Sequence, residues 1–208
     1  MTIFQQLLLL PFLSISTINL SLTSGNPDNL FEHFDTRNSA SIHKAKNKTM
    51  GVSINLFRLP KAEKLNDIKD LENQISKTAD TKVDLYQAAS DLAVIFLNST
   101  DPYSDPNTIP YKMLYGKRVE QSVSVGEIGG FLPSSEIIEI TKWIKNNKIE
   151  TFDGFSKMYD NLSAEVKKEL EEMGTDDKVS LFNGYVRPLA VLYFTALENQ
   201  NSVIFVGQ

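Results

Sequence analysis

Two strand-like runs lie at the two ends of residues 50–208, and helical patterns fill the segment between them. In "GVSINLFRL" apolar and polar side chains alternate, which is the period of a strand with one buried face. The chain closes on "NSVIFVG", a second run of this kind. A single strand leaves its backbone N–H and C=O groups unpaired. We therefore predict that residues 52–57 pair with residues 203–206 in a small sheet, which brings the two ends of one domain together.

The segment between the two strands predicts about six helices, so the expected fold class is α+β and mostly helical. Apolar residues at spacings of three and four follow Pro60 and indicate an amphipathic helix that begins there. The stretch "KVDLYQAASDLAVIFLNS" predicts a buried helix with Asp84 as its N-cap. Ser163 and Gly174 mark the two ends of a later helix. The last helix is long, and Pro188 predicts a kink or an early turn in it.

The first forty-nine residues differ in character from the rest of the chain. Residues 1–25 are apolar but have no Lys or Arg before Leu7, where a signal peptide normally carries positive charge. Residues 26–49 show no sustained period and indicate a polar linker. Three interpretations follow: a mis-assigned upstream start, a weak signal peptide, or a membrane anchor or ordered extension. We favour the first, which predicts a cytoplasmic protein that starts at Met50. Export through residues 1–25 is the alternative.

The residue types present exclude several classes of chemistry. The chain has no cysteine, and its only histidines are His33 and His43. A domain that begins at Met50 therefore has no Ser-His-Asp triad, no Cys-His pair and no zinc site with His or Cys ligands. Residues 50–208 carry seventeen Lys and Arg against twenty-three Asp and Glu. An acidic domain of this kind argues against nucleic-acid binding. We predict no cofactor, no metal site and no stable membrane insertion of residues 50–208.

The order of motifs in residues 50–208 resembles the YfbM-like family, small bacterial domains of unknown function. The matching stretches are "MGVSINLFRL", "VDLYQAASDLAVIFLN", "GGFLPSSEIIEITKWI", Met158-Tyr159 and "SVIFVGQ". The family commonly shows Asp-Lys-x-Trp with a nearby His in its first buried helix. This chain has Tyr86-Gln87-Ala88-Ala89 there, and Ala93 where the His would fall; the proline that often follows Met-Tyr is Asp160. The resemblance implies a fold and a start at Met50, and it implies no activity. It also implies that a site built from those family residues is missing here.

A glycine-containing segment before the fourth predicted helix is one candidate for a ligand site. Gly126, Gly129 and Gly130 stand in "VEQSVSVGEIGGFLP", which also predicts a short strand at residues 123–125. Glycines before a helix N-terminus can hold a phosphate. The spacing is that of neither a Walker loop nor a dinucleotide fingerprint. We therefore favour a turn at Gly129-Gly130.

Four polar residues complete the set of ligand-site candidates. Tyr111, Tyr115 and Glu127 are the polar side chains expected to line a pocket. Arg187 interrupts an apolar helix, and a buried guanidinium needs a carboxylate or carbonyl partner. We favour a structural ion pair for Arg187 over substrate binding.

Two functions of different class fit these patterns. The first, which we favour, is a non-catalytic binding or protein-interaction module with an unknown protein partner. The second is a hydrolase that uses paired carboxylates or a carboxylate-bound metal. Its acids would come from Glu120, Glu127, Asp101 and Asp105. A hard cation could also be bound by the carboxylates of Asp101, Asp105, Asp176 and Asp177. We favour the simpler interpretation that these four acids are solvated in loops.

Overall fold

The computed structural model describes residues 53–86, 88–123 and 126–207. Its strands form a five-stranded antiparallel sheet with the order β2-β1-β5-β4-β3. The bounds in chain order are β1 (Ile54–Leu59), β2 (Val83–Asp84), β3 (Lys117–Val123), β4 (Gly126–Leu132) and β5 (Ser202–Gly207). Ile54 lies opposite Gly207 and Leu59 opposite Ser202. The predicted pairing of the first and last strands is therefore confirmed.

Helices make up most of the remaining described structure, so the predicted α+β, mostly helical class is confirmed. The α-helices are α1 (Leu71–Thr78), α2 (Ala88–Leu97), α3 (Ile109–Tyr115), α4 (Ile137–Asn147), α5 (Phe152–Asp160), α6 (Ala164–Met173), α7 (Lys178–Leu181) and α8 (Arg187–Glu198). Short 3-10 turns lie at Leu65–Asp67, Ala79–Thr81 and Ser134–Glu136. None of the helices described within residues 53–207 has both the length and the apolar character needed to cross a membrane.

The sheet separates two apolar clusters, because successive side chains of a strand point to opposite faces. Leu56 and Phe205 belong to the larger cluster, which contains the apolar residues of α2 and α8. Phe57 and Ile204 belong to a smaller cluster on the other face, with Ile75 of α1. Within the larger cluster α2 is central, since it contacts α3, α5 and α6. Its position decides where the polar side chains that it carries meet other elements.

The last helix is distorted next to its proline, as the sequence predicts. A π-helical segment, Phe182–Val186, joins α7 to α8, and Pro188 lies in the first turn of α8. Proline has no N–H and crowds the preceding turn, so an ordinary helical bond cannot form there. The Arg187 N–H instead donates to the Phe182 carbonyl, five residues back. Such π segments frequently lie at functional sites.

Two sequence-based boundaries are wrong. No helix begins at Pro60; α1 begins at Leu71, after Asp70, whose φ of 51° is left-handed and interrupts the helical run. Asp84 lies in β2 and does not cap α2. Its carboxylate accepts the backbone N–H of Tyr86 at 2.9 Å, which is a local turn that competes with helix formation. Ser163 does cap α6, and Gly174 ends it in the left-handed conformation, as predicted.

The turn predicted at Gly129-Gly130 is also wrong, because both glycines lie inside β4. β3 and β4 form a hairpin that reverses between Val123 and Gly126, and the predicted strand at residues 123–125 is instead the longer β3. A Cβ on Gly130 would lie 1.8 Å from the Tyr115 carbonyl oxygen. The sequence uses glycine there for a close backbone approach, and not for a turn. The predictions for residues 1–25 and 26–49 lie outside the described residues.

Candidate functional site

The N-terminal half of α2 brings polar groups into an otherwise apolar helix. Its sequence is AASDLAVIFL, and Asp91 is its one charged residue. Ser90 and Asp91 are half-buried, whereas the five residues that follow them are buried. An aspartate in such a helix must be solvated at one edge or meet other polar groups. In this structure, Ser90 and Asp91 contact two different groups of side chains.

Three tyrosines, Tyr103, Tyr111 and Tyr115, pack together beside Ser90; we call them the tyrosine cluster. Tyr111 and Tyr115 are one helical turn apart on α3, with ring centroids 4.9 Å apart and planes tilted by 42°. Tyr103 lies in the loop between α2 and α3, and its ring centroid is 5.8 Å from that of Tyr115. Both separations are typical of favourable aromatic pairs. The three rings therefore form one supported aromatic surface.

Hydroxyl groups connect the tyrosine cluster to α2. The Tyr115 hydroxyl donates to the Tyr103 hydroxyl at 3.4 Å, and the Tyr103 hydroxyl lies 2.9 Å from the Ser90 hydroxyl. Burial raises the pKa of Tyr115 far above its ordinary value, and the bond to Tyr103 raises it further. Tyr115 therefore keeps its proton and remains a donor. The Tyr103 side chain is 53% exposed, so its ring is open to a partner.

The α3 end of the tyrosine cluster is held by a well-formed helix start. The Thr108 hydroxyl accepts the backbone N–H of Tyr111 at 3.3 Å, and Pro110 occupies the first turn. A threonine N-cap followed by a first-turn proline is a strong helix-start combination. The start of α3, and with it the direction in which Tyr111 and Tyr115 project, is therefore fixed by local sequence.

A second group, the Asp91 cluster, consists of Asp91, Tyr159, Thr175, Asp176 and Tyr185. Burial raises the pKa of the Asp91 carboxyl, and the negative charge of Asp176 adds to this effect. The Thr175 hydroxyl lowers the pKa in part. Its oxygen is buried and makes no hydrogen bond of good geometry within the described residues. The contact between Thr175 and Asp91 is therefore a loose one, and it offsets the cost of burying the Asp91 carboxylate only in part.

In addition to the effect of burial, nearby acids raise the pKa of both tyrosines in the Asp91 cluster. Burial raises the pKa of Tyr185, which lies in the π-helical segment, and the charges of Asp176, Asp84 and Asp91 raise it further. Burial likewise raises the pKa of Tyr159, although the Lys178 ammonium opposes this change. Those phenols remain protonated and can donate hydrogen bonds. The cluster therefore combines neutral donors with carboxylate acceptors.

Tyr86 lies just before α2 in a strained conformation. Its φ is 44°, a left-handed value that is uncommon for a non-glycine residue, and its side chain is 60% exposed. The Asp84 carboxylate holds this turn by accepting from the Tyr86 N–H and from the Ser53 hydroxyl at 3.1 Å. Backbone strain of this kind is concentrated at functional sites. Tyr86 therefore adds a further exposed aromatic ring at the start of α2.

The structure brings together some of the residues predicted from the sequence and separates the others. Tyr111 and Tyr115 are in contact, and Gly130 packs under the Tyr115 carbonyl. Glu127 is exposed on β4, and the exposed Gly129 has no atom within 4 Å of where a Cβ would be. Arg187 is exposed at the start of α8, so the premise of a buried guanidinium is wrong.

The acids predicted for a metal or hydrolase site lie on separate elements. Glu120 is in β3 and Glu127 in β4, whereas Asp101 and Asp105 are in the loop before α3. Asp177 caps α7 by accepting the N–H groups of residues 179 and 180 at 2.8 and 3.1 Å. Within the part of the chain that the structure describes, no three acidic, His or Cys side chains are grouped to hold a metal ion.

Sequence reasoning missed Ser90, Asp91, Tyr103 and Tyr185. One signal was available for Asp91, because it is a lone charge within a run of apolar residues. Tyr185 precedes the helical proline by three residues, which also places it at a predictable distortion. Tyr103 and Ser90 carried no such signal, since their contact depends on how the loop after α2 folds back.

No family model and no curated protein matches the chain. Among solved structures, the chain is similar to the crystal structure of YfbM from Escherichia coli, a protein of unknown function. The sequences are 16% identical, the TM-score is 0.47, and the match covers 74% of this chain and 99% of that one. The resemblance to the YfbM-like family stated from the sequence is therefore met by a solved structure of that name.

Proposed function

We propose that the domain is a non-catalytic module that binds another protein through the tyrosine cluster. The observation that supports this most is the exposed Tyr103 ring, which the Tyr115 ring and the Ser90 hydroxyl hold in place, while Tyr111 packs against Tyr115. Tyrosine is enriched in the central part of protein interfaces. A ring that is already held loses little conformational freedom on binding, so more of its contact energy is available for affinity.

The charge of the surroundings supports a basic partner. Residues 50–208 carry six more acidic than basic side chains. Asp91 is on α2, one residue after Ser90, and the charges of Asp84 and Asp176 act on Tyr185 close by. Complementary charge speeds the encounter of two proteins and excludes partners of the same sign. An arginine of the partner can also stack on an exposed tyrosine ring. We therefore propose a partner segment that carries Arg or Lys.

The proposal is tested by capture from a lysate of the cells that make the protein. Full-length wild type, Tyr103→Ala and Val191→Ala are compared as bait. Val191 is a suitable control because it is apolar, is 57% exposed, and lies on α8, which contributes no residue to the tyrosine cluster. We expect basic proteins to be retained by the wild type and by Val191→Ala. We expect Tyr103→Ala to lose them, since central interface residues contribute about 2 kcal/mol or more, roughly a thirtyfold loss of affinity.

Three results would contradict the interaction proposal. One is a retained set that is the same for all three baits. Another is retention that persists unchanged at high salt, because attraction to a basic partner is screened by salt. A capture experiment that finds nothing above an unrelated acidic bait also counts against it.

The alternative proposal is a hydrolase with paired carboxylates, and Asp91 favours it. Perturbed titratable groups in low-dielectric positions are candidates for acid–base catalysis. Asp91 and Asp176 would form the pair, in place of the acids chosen from the sequence. A panel of ester, phosphoester and glycoside substrates tests this idea. Turnover by the wild type that Asp91→Asn abolishes and Tyr103→Ala leaves unchanged would favour the hydrolase over the interaction module.

A further inference from the structure

A groove of about 450 Å³ lies at the C-terminal end of α2, the end opposite to Asp91. The last turn of α2, the C-terminal end of α4 and one side of α5 form its walls. Its volume is within the range of about 300–1,000 Å³ that is usual for small-molecule sites. Neither the tyrosine cluster nor the Asp91 cluster contributes a residue to it.

The floor of this groove is apolar. Ile95 and Phe96 come from α2, and Met158 and Leu162 come from α5 and the residues after it. Gly154 lets α5 approach the end of α4 closely, since a Cβ there would lie 2.0 Å from the Lys148 carbonyl oxygen. Hydrocarbon groups are therefore accommodated at the bottom of the groove.

The rim of the groove is polar and lacks negative charge. Of the eleven lining residues, four are asparagines, two are lysines and none is an acid. Twenty-three Asp and Glu residues occur in residues 50–208 as a whole. The groove is thus a locally positive position on an acidic domain, and positive groups at a cleft raise the local concentration of anions. The polar lining residues are Asn98, Asn146, Asn147, Lys148, Lys157 and Asn161.

The two lysines of the rim have no acidic partner among the described residues. Lys112, Lys117 and Lys178 by contrast each pair with a carboxylate, on Glu136 or Asp160. Ammonium groups without a protein partner are available for charge-assisted bonds to a ligand. Lys148 and Lys157 are therefore the groups that a bound anion would meet.

At two of the helix ends beside the groove, a backbone carbonyl is hydrogen-bonded within the protein. Exposed carbonyls at helix C-termini carry partial negative charge and would repel an anion. Here the Val94 carbonyl accepts from the Ser99 N–H, and the Ile144 carbonyl accepts from the Ile149 N–H, each at 3.2 Å. Asn98 also directs its side-chain oxygen to the Ser163 N–H at 3.0 Å, which leaves its amide nitrogen as a donor. The hydrogen-bonded carbonyls at these two helix ends repel an anion less than free carbonyls would.

We infer that this groove binds a small amphipathic organic anion, a carboxylate attached to a hydrocarbon chain or ring. Its carboxylate contacts Lys148 and Lys157 at the rim, and its hydrocarbon part covers Phe96 and Met158 on the floor. This inference does not depend on the proposed protein interaction, because the two surfaces share no residue. Each can therefore fail without the other.

The test is a titration of the full-length ¹⁵N-labelled protein with octanoate, followed by two-dimensional NMR. We expect saturable shift changes confined to residues 95–98, 146–148 and 154–162. Three related probes separate the contributions of charge and hydrocarbon: 1-octanol, octylammonium and inorganic phosphate. All three should bind more weakly than octanoate. Octanol or phosphate binding as tightly as octanoate would overturn the inference, and so would shift changes elsewhere or none up to millimolar octanoate.

Two substitutions then test the rim. The double variant Lys148→Asn, Lys157→Gln removes both charges, and Asn is chosen because Lys148 has a φ of 56°, which asparagine tolerates. We expect its affinity for octanoate to fall about tenfold or more. Lys142→Gln is the matched control, since Lys142 is an exposed lysine of α4 that does not line the groove. Equal affinities for wild type and double variant would overturn the inference, as would an equal loss in the control.

Discussion

Replacing Asn55 with valine should stabilise the protein. Asn55 lies in β1 with 0% of its surface exposed, and neither its side-chain oxygen nor its side-chain nitrogen has a hydrogen-bond partner among the described residues. Asp84 pairs with it from β2, but its other neighbours on the same face of the sheet are apolar. Val206 lies directly opposite, Phe57 is two residues along the strand, and Ile128 pairs with Val206 from the other side. The amide is therefore a polar group in an apolar layer.

The expected gain in stability has two parts: the removal of an unpaired buried amide, and the stronger preference of valine for a strand. A buried amide left without a partner costs about 1–3 kcal/mol. Valine also favours the strand conformation over asparagine, on a scale that spans about 1 kcal/mol. We expect the free energy of unfolding to rise by about 2 kcal/mol. For a domain of this size, that corresponds to a rise in Tm of about 4–8 °C.

Urea denaturation followed by fluorescence measures this change. The chain has one tryptophan, Trp143, whose ring packs edge-on against Phe96 at 5.5 Å, within the apolar cluster on the other face of the sheet. The substitution therefore leaves the surroundings of the probe intact. The urea midpoint should rise without a change in slope. Asn55→Asp is the opposite control, since it buries an unpaired charge and should destabilise the protein strongly.

One result would refute this reasoning about Asn55. If Asn55→Val lowers the free energy of unfolding by about 1 kcal/mol or more, the amide must make hydrogen bonds that stabilise the native state. A buried water would then be the expected partner, since such waters bridge polar groups that lack a protein partner. A high-resolution crystal structure of the wild type would identify it directly.

Three further predictions concern other parts of the fold. Burial raises the pKa of Asp91, so the folded state holds its proton more tightly and stability falls as pH rises through that raised pKa. Asp91→Asn should therefore be more stable than wild type at about pH 7 and lose this advantage near pH 3, below the ordinary aspartate range, in urea titrations. Gly130→Ala should cost about 1–3 kcal/mol or more, because its Cβ meets the Tyr115 carbonyl at 1.8 Å. Gly129→Ala, with open space at the Cβ, should stay within about 1 kcal/mol of wild type; similar losses for both would contradict the packing argument. Ser163→Ala should lose about 1 kcal/mol through its N-cap bond, whereas Ser163→Asp should retain the stability.

The pairing of the first and last strands could be predicted from the sequence, because an isolated strand leaves its backbone N–H and C=O groups without hydrogen bonds. Two amphipathic strands separated by helices each need a partner strand for their backbone groups, and pairing with each other meets that need. The observed register, from Ile54 opposite Gly207 onward, meets that requirement. Helix ends with strong local signals were equally accessible, as Ser163 and Gly174 show. Local chemistry decides these features without reference to distant contacts.

The errors at Asp84 and Gly130 arise where a contact with another part of the chain overrides a local signal. Asp84 has the residue type of an N-cap, but its Oδ1 accepts from the Ser53 hydroxyl and the Tyr86 N–H. Asp84 also pairs with Asn55 in the sheet. Gly-Gly is typical turn chemistry, yet Gly130 is required in a strand by the position of the Tyr115 carbonyl. The residues next to Asp84 and Gly130 in the sequence give no sign of these contacts.

The candidate site is accessible from sequence only where one helix carries two of its members. Tyr111 and Tyr115 could be paired by their spacing of four, but Tyr103 joins them through a loop, and Ser90 through the packing of α2 on α3. Asp91 follows Ser90, and successive helical residues point about 100° apart. One rigid turn of α2 therefore presents a hydroxyl to the tyrosine cluster and a carboxylate to the Asp91 cluster. A partner that contacts both groups would therefore meet them in a fixed relative orientation, because a helix holds the two side chains more rigidly than a loop does.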